Sequence, residues 1–125
     1  MNDRAIEQEI QAKGLIAPRV TPADIEAEIA GEFYFTASEG LVGALDAGSS
    51  NSEASTTEGQ SLRSLDLLTF CVLHLRNGFT VTGESACASP ENFDAEIGRK
   101  IARQNAVQKI WPLLGFRLRD RLAAE

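Results

Sequence analysis

The pattern of apolar and polar residues on the two sides of an Asn-Gly pair predicts a β-hairpin. Strand-like segments from Leu67 to Leu75 and from Phe79 to Ala86 flank Asn77-Gly78, which is typical of a two-residue hairpin turn. Such a turn pairs Val72 with Gly83. It predicts a core face that carries Leu68, Phe70, Val72, Phe79 and Val81. The first strand is apolar on both faces, which indicates a central strand covered on both sides.

Two acidic helices and a short strand are predicted before the hairpin. Residues Asp3 to Lys13 place apolar side chains one helical turn apart, and Gly14 ends this helix. Residues Thr21 to Asp24 begin a second helix, with threonine as its cap and proline at its first position, and Gly31 ends it. The aromatic segment Phe33 to Thr36 is typical of a strand. We expect the two helices to form an outer layer, or the first to be a loose arm.

Residues 47–62 are rich in serine, threonine and glycine, and they predict a flexible loop. A loop of this length in a small domain is either a flap over a site or an insertion. We predict an insertion, because the segment has no aromatic or basic residue with which to hold a ligand.

Two further helices are predicted after the hairpin. Ser89 caps the main helix and Pro90 opens it, and Trp111-Pro112 breaks it because proline disfavours a helical residue before it. Pro112 then opens a last helix.

The main helix carries an apolar stripe, Ile97 and Ile101, beside a stripe of small residues, Gly98, Ala102 and Ala106. Small residues at this spacing let another backbone approach, from this chain or from a second copy. We therefore expect a homo-oligomer, at least a dimer, with the main helix near the interface.

These elements predict an α+β fold: an antiparallel sheet with a central Asn-Gly hairpin, two C-terminal helices packed on it, and one or two N-terminal helices. At 125 residues the chain is long enough for one core, so residues 1–125 are predicted to be a single domain. Residues 1–31 are its acidic helical segment, 47–62 its flexible loop, and 63–125 its hairpin and two-helix core.

Charge is distributed unevenly along the chain, whose formal net charge is −6. Residues 1–62 hold eleven acidic and three basic residues, whereas residues 95–125 hold seven basic and three acidic ones. A basic end on an acidic protein argues against binding to duplex nucleic acid, and it fits a bounded site for a small anion or solvated helix faces.

No apolar run approaches the ~20 residues of a membrane helix, and no signal peptide is visible. We expect a cytoplasmic protein without a membrane partner.

The chain offers few residues for metal binding or covalent catalysis. It has one histidine, His74, and two cysteines, Cys71 and Cys87, which we expect to be free thiols in a reducing compartment. This set is too small for a zinc site. Neither a Walker loop nor a dinucleotide fingerprint is present, nor is a nucleophile paired with a base. We therefore expect no metal, no cofactor and no enzymatic activity.

A candidate ligand site lies around the main helix. Phe93, predicted just inside its N-terminus, offers a stacking face where backbone N–H groups favour anions, and Asp94 can accept hydrogen bonds from ribose or adenine. The arginines Arg99, Arg103 and Arg119 can clamp phosphates. Asn105 lies on an apolar stripe, which is an unusual place for an amide without a partner.

Each of these residues also has a purely structural interpretation. Phe93 also fits a core contact at a helix start. Asn105 fits an amide that ties down a loop or the sheet, and single arginines are commonly solvated.

The segment from Phe33 to Leu122 resembles the tailed-phage proteins of the gene-product-49/gene-66 family. The matching segments are Tyr34-Phe35-Thr36-Ala37, Leu68 to Leu73, Asn77 to Ser85, Asn92-Phe93-Asp94, Gly98 to Ala102, Lys109 to Pro112 and Arg119 to Leu122. The span from Phe33 to Leu122 covers about seventy per cent of the chain. The N-terminal helices and the loop lie outside the resemblance.

The order of strands, Phe-Asp pair, main helix and basic end also resembles the phage Thoeris anti-defence one proteins. Those proteins are non-enzymatic sponges that capture cyclic ADP-ribose isomers, and some also bind cyclic oligonucleotides. The resemblance matches Phe93-Asp94 to their aromatic and acidic ligand contacts, Asn105 and Arg119 to an asparagine and an arginine, and, more loosely, Arg103 to another arginine. It implies a sponge for a cyclic nucleotide-type immune signal in the infected host cell. The alternatives are a phage accessory protein that acts through protein–protein contacts and a weak nucleic-acid binder.

Overall fold

Three antiparallel strands form a sheet in the order β1-β2-β3, and one long helix packs across it. The computed structural model describes residues 2–48 and 60–125. The elements are α1 (Asp3–Ala12), α2 (Pro22–Glu28), β1 (Ile29–Thr36), α3 (Ala37–Asp46), α4 (Gln60–Leu65), β2 (Leu68–Leu75), β3 (Thr80–Ala86), a 3-10 turn (Pro90–Asn92) and α5 (Ala95–Ala123). The predicted α+β class and the central position of β2 are confirmed.

The turn between β2 and β3 is one residue longer than predicted. The Leu75 N–H donates to the Phe79 carbonyl at 2.8 Å, and the Gly78 N–H donates to the Leu75 carbonyl at 2.9 Å, so three residues lie between the paired ends. Gly78 takes a φ of +90°, which a residue without Cβ adopts at little cost. The resulting register pairs Val72 with Thr82 instead of Gly83.

This single-residue shift makes the predicted core face of β2 wrong. A one-residue slip turns every side chain of one strand to the other face. The buried residues are therefore Thr69, Cys71, Leu73 and Leu75 on β2, with Val81 and Gly83 on β3. Phe79, predicted to be core, leaves 56% of its surface exposed.

The C-terminal part is one helix of 29 residues, so the predicted break at Trp111-Pro112 is wrong. Proline disfavours a helix locally, but Ile110 and Leu114 on either side of Pro112 are both buried against the core. Burial of these two side chains favours continuing the helix, at the cost of the hydrogen bond that Pro112 cannot donate.

The small-residue stripe of α5 faces the chain's own β3. A Cβ built on Gly83 would lie 2.2 Å from the Ala102 carbonyl oxygen and 2.3 Å from the Ala106 nitrogen. Gly98, Ala102 and Ala106 are all buried, as the prediction of a closely approaching backbone requires. Ile97 and Ile101, predicted as the neighbouring apolar stripe, remain 55% and 42% exposed.

The N-terminal helices begin as predicted, but α2 is shorter and a helix follows β1. Thr21 and Asp24 form a capping box at α2, which ends at Glu28 instead of Gly31 because the chain continues directly into β1. Thr36 and Glu39 form a second capping box, which begins the unpredicted α3. The pattern Thr-x-x-Glu was present in the sequence and would have indicated this helix.

The predicted loop 47–62 lies largely outside the described residues, which resume with α4 at Gln60. Across the described ranges, each helix is too short or too polar to cross a bilayer.

Candidate functional site

The N-terminus of α5 lies farther along the chain than predicted. Pro90–Asn92 form a separate 3-10 turn, Phe93 follows it in extended conformation, and Asp94 is the N-cap of α5. The Asp94 Oδ1 accepts a hydrogen bond from the Ile97 N–H at 3.0 Å. Ser89 and Pro90 therefore do not open the main helix. Phe93 precedes the helix instead of lying inside it, and one Asp94 oxygen is used by the helix itself.

Phe93 and Arg99 line a common cavity of about 150 Å³, which we call the Phe93 cavity. Its lining consists of Tyr34, Phe35, Thr36, Glu39, Thr69, Phe93, Ala95 and Arg99. It lies between the end of β1, the start of α3 and the first turn of α5. The structure thus brings together two of the six predicted ligand residues, and it adds two aromatic rings, one carboxylate and three hydroxyls, one of them the phenol of Tyr34.

Thr69 lines this cavity and carries a buried hydroxyl without a partner among the described residues. The residue is 3% exposed, and within the described part of the chain its Oγ1 has no hydrogen-bond partner. Buried hydroxyls are usually paired, because an unpaired one costs about 1–3 kcal/mol. Sequence reasoning missed Thr69, although a lone threonine in the apolar run of β2 was the available signal.

Arg103 lies outside the Phe93 cavity and is held by two carboxylates. Its guanidinium donates to Glu32 at 3.0 and 3.1 Å and to Glu26 at 2.8 and 3.3 Å. These hydrogen bonds raise the pKa of Arg103 and lower the pKa of Glu32. Arg103 therefore ties α5 to α2 and β1, and a phosphate would have to displace a carboxylate to bind it.

Asn105 also bonds to the protein. Its Nδ2 donates to the backbone carbonyl of Glu84 on the outer strand β3, at 2.8 Å. Asn105 was predicted either to contact a ligand or to tie down a loop or the sheet. This hydrogen bond matches an amide that ties down the sheet.

Arg119 lies far from the other predicted ligand residues within one chain. Because α5 is continuous, Ala95 and Arg119 are separated by about 36 Å at 1.5 Å per residue. A break at Pro112 would have allowed the last helix to turn back toward Phe93. Its absence means that a ligand at Phe93 cannot contact Arg119 of the same chain.

The two cysteines lie on β2 and directly after β3. Cys71 is buried and Cys87 half-buried, and both are free thiols as predicted. Burial raises the pKa of the Cys71 thiol, which lowers its reactivity. Within residues 2–48 and 60–125, histidine, cysteine and carboxylate side chains form no group of three suited to a metal ion.

Comparison with known proteins gives one match. Residues 20–122 match the family described as phage protein (N4 Gp49/phage Sf6 gene 66). No curated protein and no solved structure matches the chain. The match covers most of the chain, from the residue before the α2 cap to the end of α5. The chain therefore belongs to the N4 Gp49/phage Sf6 gene 66 family of phage proteins.

Proposed function

We propose that this phage protein binds and sequesters a nucleotide-type ligand without turning it over. The ligand class is a cyclic ADP-ribose isomer or a cyclic oligonucleotide that serves as an immune signal in the cytoplasm of the infected bacterium. Its capture would antagonise anti-phage defence. A sponge of this kind needs a specific binding site and no catalytic group.

The observation that carries this proposal is the unpaired hydroxyl of Thr69, a residue that lines the Phe93 cavity. A ligand atom that hydrogen-bonds to this buried group would remove the cost of leaving it unsatisfied. Phe93 supplies a stacking face in the same cavity, and Arg99 supplies a guanidinium without an ion pair among the described residues. A bound molecule would thus find an aromatic, a polar and a cationic contact in one place.

Size and charge restrict which part of the ligand enters this cavity. Its volume of about 150 Å³ is below the ~300–1,000 Å³ of pockets for whole drug-sized ligands, so one ring enters and the rest stays outside. Arg99 and Glu39 contribute opposite charges, which suits a neutral base or ribose with donors and acceptors. The phosphates would lie toward the exposed Arg99.

We further propose a homo-oligomer, at least a dimer, in which α5 lies near the interface. Ile97 and Ile101 are exposed one turn apart on this helix, and a second copy would bury them. Arg119 can then reach a ligand in the Phe93 cavity only if it comes from a second copy. Light scattering at tens of micromolar should give at least twice the monomer mass, and a monomer would contradict this proposal.

The binding experiment is isothermal calorimetry with cyclic ADP-ribose isomers and cyclic dinucleotides. Phe93→Ala should weaken binding about tenfold to a hundredfold, as expected for the loss of a base-stacking aromatic. Thr69→Val is the sharper test, because valine keeps the shape and removes the hydroxyl. It should leave the melting temperature unchanged or raise it, while binding weakens.

Two outcomes would contradict the proposal. The first is a folded parent protein that binds none of these ligands. The second is a Thr69→Val variant that binds as tightly as the parent, which would assign the hydroxyl no part in recognition. Arg119→Ala separates the two proposals: weaker binding requires a second copy at the site, and unchanged binding removes Arg119 from it.

The alternative is an accessory protein that works through protein–protein contacts. The sheet face opposite α5 favours it, because Phe33 is 58% exposed there and Phe35 and Val42 lie exposed nearby. Exposed apolar groups of this kind often mark interaction surfaces. Phe33→Asp should abolish partner capture under this alternative and leave ligand binding in the Phe93 cavity unchanged.

A further inference from the structure

A second cavity lies at the opposite end of α5, between that helix, α2 and the hairpin turn. Its volume is about 470 Å³, within the range of small-molecule sites. Its charged lining consists of four arginines and two carboxylates: Arg19, Arg76, Arg117, Arg121, Asp24 and Glu28. We call it the arginine cleft. Its floor is apolar and includes Val20, Leu114 and Leu118.

Two of the four guanidinium groups are already neutralised. Arg117 donates to Glu28 at 2.8 and 3.2 Å, and Arg19 donates to Glu7 at 2.6 and 2.7 Å. These hydrogen bonds lower the pKa of Glu28 and raise that of Arg117, so both partners stay charged. Paired in this way, the two arginines act as fixed walls of the cleft.

The other two guanidinium groups keep unused donors. Arg76 donates its Nε to the Ala27 carbonyl, which leaves both Nη groups without a partner among the described residues. Arg121 makes no ion pair or side-chain hydrogen bond within the same ranges. The facing carboxylate, Asp24, accepts from the Thr21 N–H in the α2 capping box. The cleft thus holds two guanidinium groups without an ion pair among the described residues, on a protein whose net charge is −6, and the charge of Arg76 also helps to lower the pKa of Glu28.

We propose that the arginine cleft is a binding site for a small phosphate-bearing molecule with an apolar or planar part. Arg76 and Arg121 bind the phosphate through charge-assisted hydrogen bonds, which guanidinium groups form with phosphate in a fixed fork geometry. The apolar part lies over Leu114 and Leu118. This site is independent of the ligand proposed for the Phe93 cavity, since about 33 Å of helix separates Arg99 from Arg121.

Calorimetry with inorganic phosphate, pyrophosphate and adenosine monophosphate at two salt concentrations tests this site. Arg121→Gln and Arg76→Gln should each weaken binding of adenosine monophosphate about tenfold to a hundredfold. Lys109→Gln is the matched control, because it removes one positive charge from α5 outside the cleft, and it should change affinity less than twofold. Adenosine monophosphate should bind more tightly than inorganic phosphate if the apolar floor contributes.

The same experiment separates this site from the Phe93 cavity. Phe93→Ala should leave binding in the cleft unchanged, and Arg121→Gln should leave binding in the Phe93 cavity unchanged. Equal weakening by Lys109→Gln and Arg121→Gln would mean a general charge effect and would overturn the proposal. No saturable binding of any of the three probes to the parent protein would overturn it as well.

Discussion

Single residues determine how closely α5 approaches the sheet. Gly83 on β3 lies against the backbone of Ala102 and Ala106, where no Cβ fits without moving the helix. By contrast, Gly115 on the same helix has no neighbouring atom within 4 Å of the place where its Cβ would be. Packing therefore requires a glycine at position 83 but not at position 115.

Gly83→Ala should destabilise the protein by about 1–3 kcal/mol or more, because the added methyl group meets backbone atoms that cannot rotate away. Gly115→Ala should instead stabilise it by about 0.5–1 kcal/mol, since alanine is the better helix former. Urea unfolding followed by the fluorescence of Trp111, the one tryptophan, measures both. Equal stability of the Gly83 variant and the parent would contradict the close packing of β3 and α5.

Asp94 has a structural role that is separable from any role in ligand binding. Asp94→Ala should lower the unfolding free energy by about 1 kcal/mol through loss of the N-cap, whereas Asp94→Ser should restore the cap. If both variants lose ligand affinity, the carboxylate itself contacts the ligand. If only the alanine variant loses it, the effect comes through the helix end.

At the scale of the elements, α5 and the hairpin depend on interactions that lie outside their own sequences. The Pro112 ring removes one hydrogen bond, yet the helix continues because the core on either side of it is buried. In the hairpin, three turn residues instead of two decide which face of β2 is covered by α5. Each element therefore takes its final form from the helix–sheet interface.

Pro112→Ala should raise the unfolding free energy by up to about 3 kcal/mol, because it restores a backbone donor inside a helix that is already continuous. Pro90→Ala is the control: proline at the first position of a turn has no hydrogen bond to lose, so no gain is expected there. A destabilised Pro112→Ala variant would indicate that a bend at Pro112 is required for packing.

At the scale of the whole molecule, ion pairs connect the elements. Their arginines lie on α5 and in the segment before α2, and their carboxylates lie on α1, α2 and β1. Arg103 binds Glu26 and Glu32, Arg117 binds Glu28, and Arg19 binds Glu7 of α1. The excess of negative charge at the N-terminal end is partly explained by the contacts of Glu26, Glu28 and Glu32 with arginines of the basic end.

Stability should fall on acidification below about pH 4.5. Hydrogen bonds from arginines lower the pKa of Glu28 and Glu32 in the folded protein and lower that of Glu7 to about 2. Carboxyl groups with a lowered pKa stabilise the fold above their unfolded value of about 4.3, and this contribution is lost as the pH falls through the folded values.

Glu32→Gln tests this dependence by urea unfolding at pH 7 and pH 3. It should cost about 0.5–1 kcal/mol at pH 7 and less at pH 3, where the ion pair is weakened in the parent as well. Glu125→Gln, at the exposed C-terminus, should leave the pH profile as it is. A Glu32→Gln variant with the same cost at both pH values would contradict an ionic contribution.

The candidate site could be predicted only in part. Phe93 and Arg99 are close in sequence, and a helix start brings them to one cavity. Arg103 and Asn105 instead bond to other parts of the protein, and Arg119 lies far along the continuous α5. Thr69 and the arginine cleft come from segments far apart in sequence, and only packing brings them together.

Local signals in the sequence determined the α+β class, the helix starts at Thr21 and Asp3, the existence of the hairpin and the central position of β2. They depend on caps, turns and apolar content within a few residues, and these act in the same way before and after the chain folds. The hairpin register, the continuity of α5 and the grouping of the site residues were decided by the tertiary structure alone. Each depends on burial against a distant segment, such as Gly83 on Ala102 or Leu114 on the core. Burial of this kind outweighs local preferences, which range from about 1 kcal/mol or less for most residues to about 3 kcal/mol for proline inside a helix.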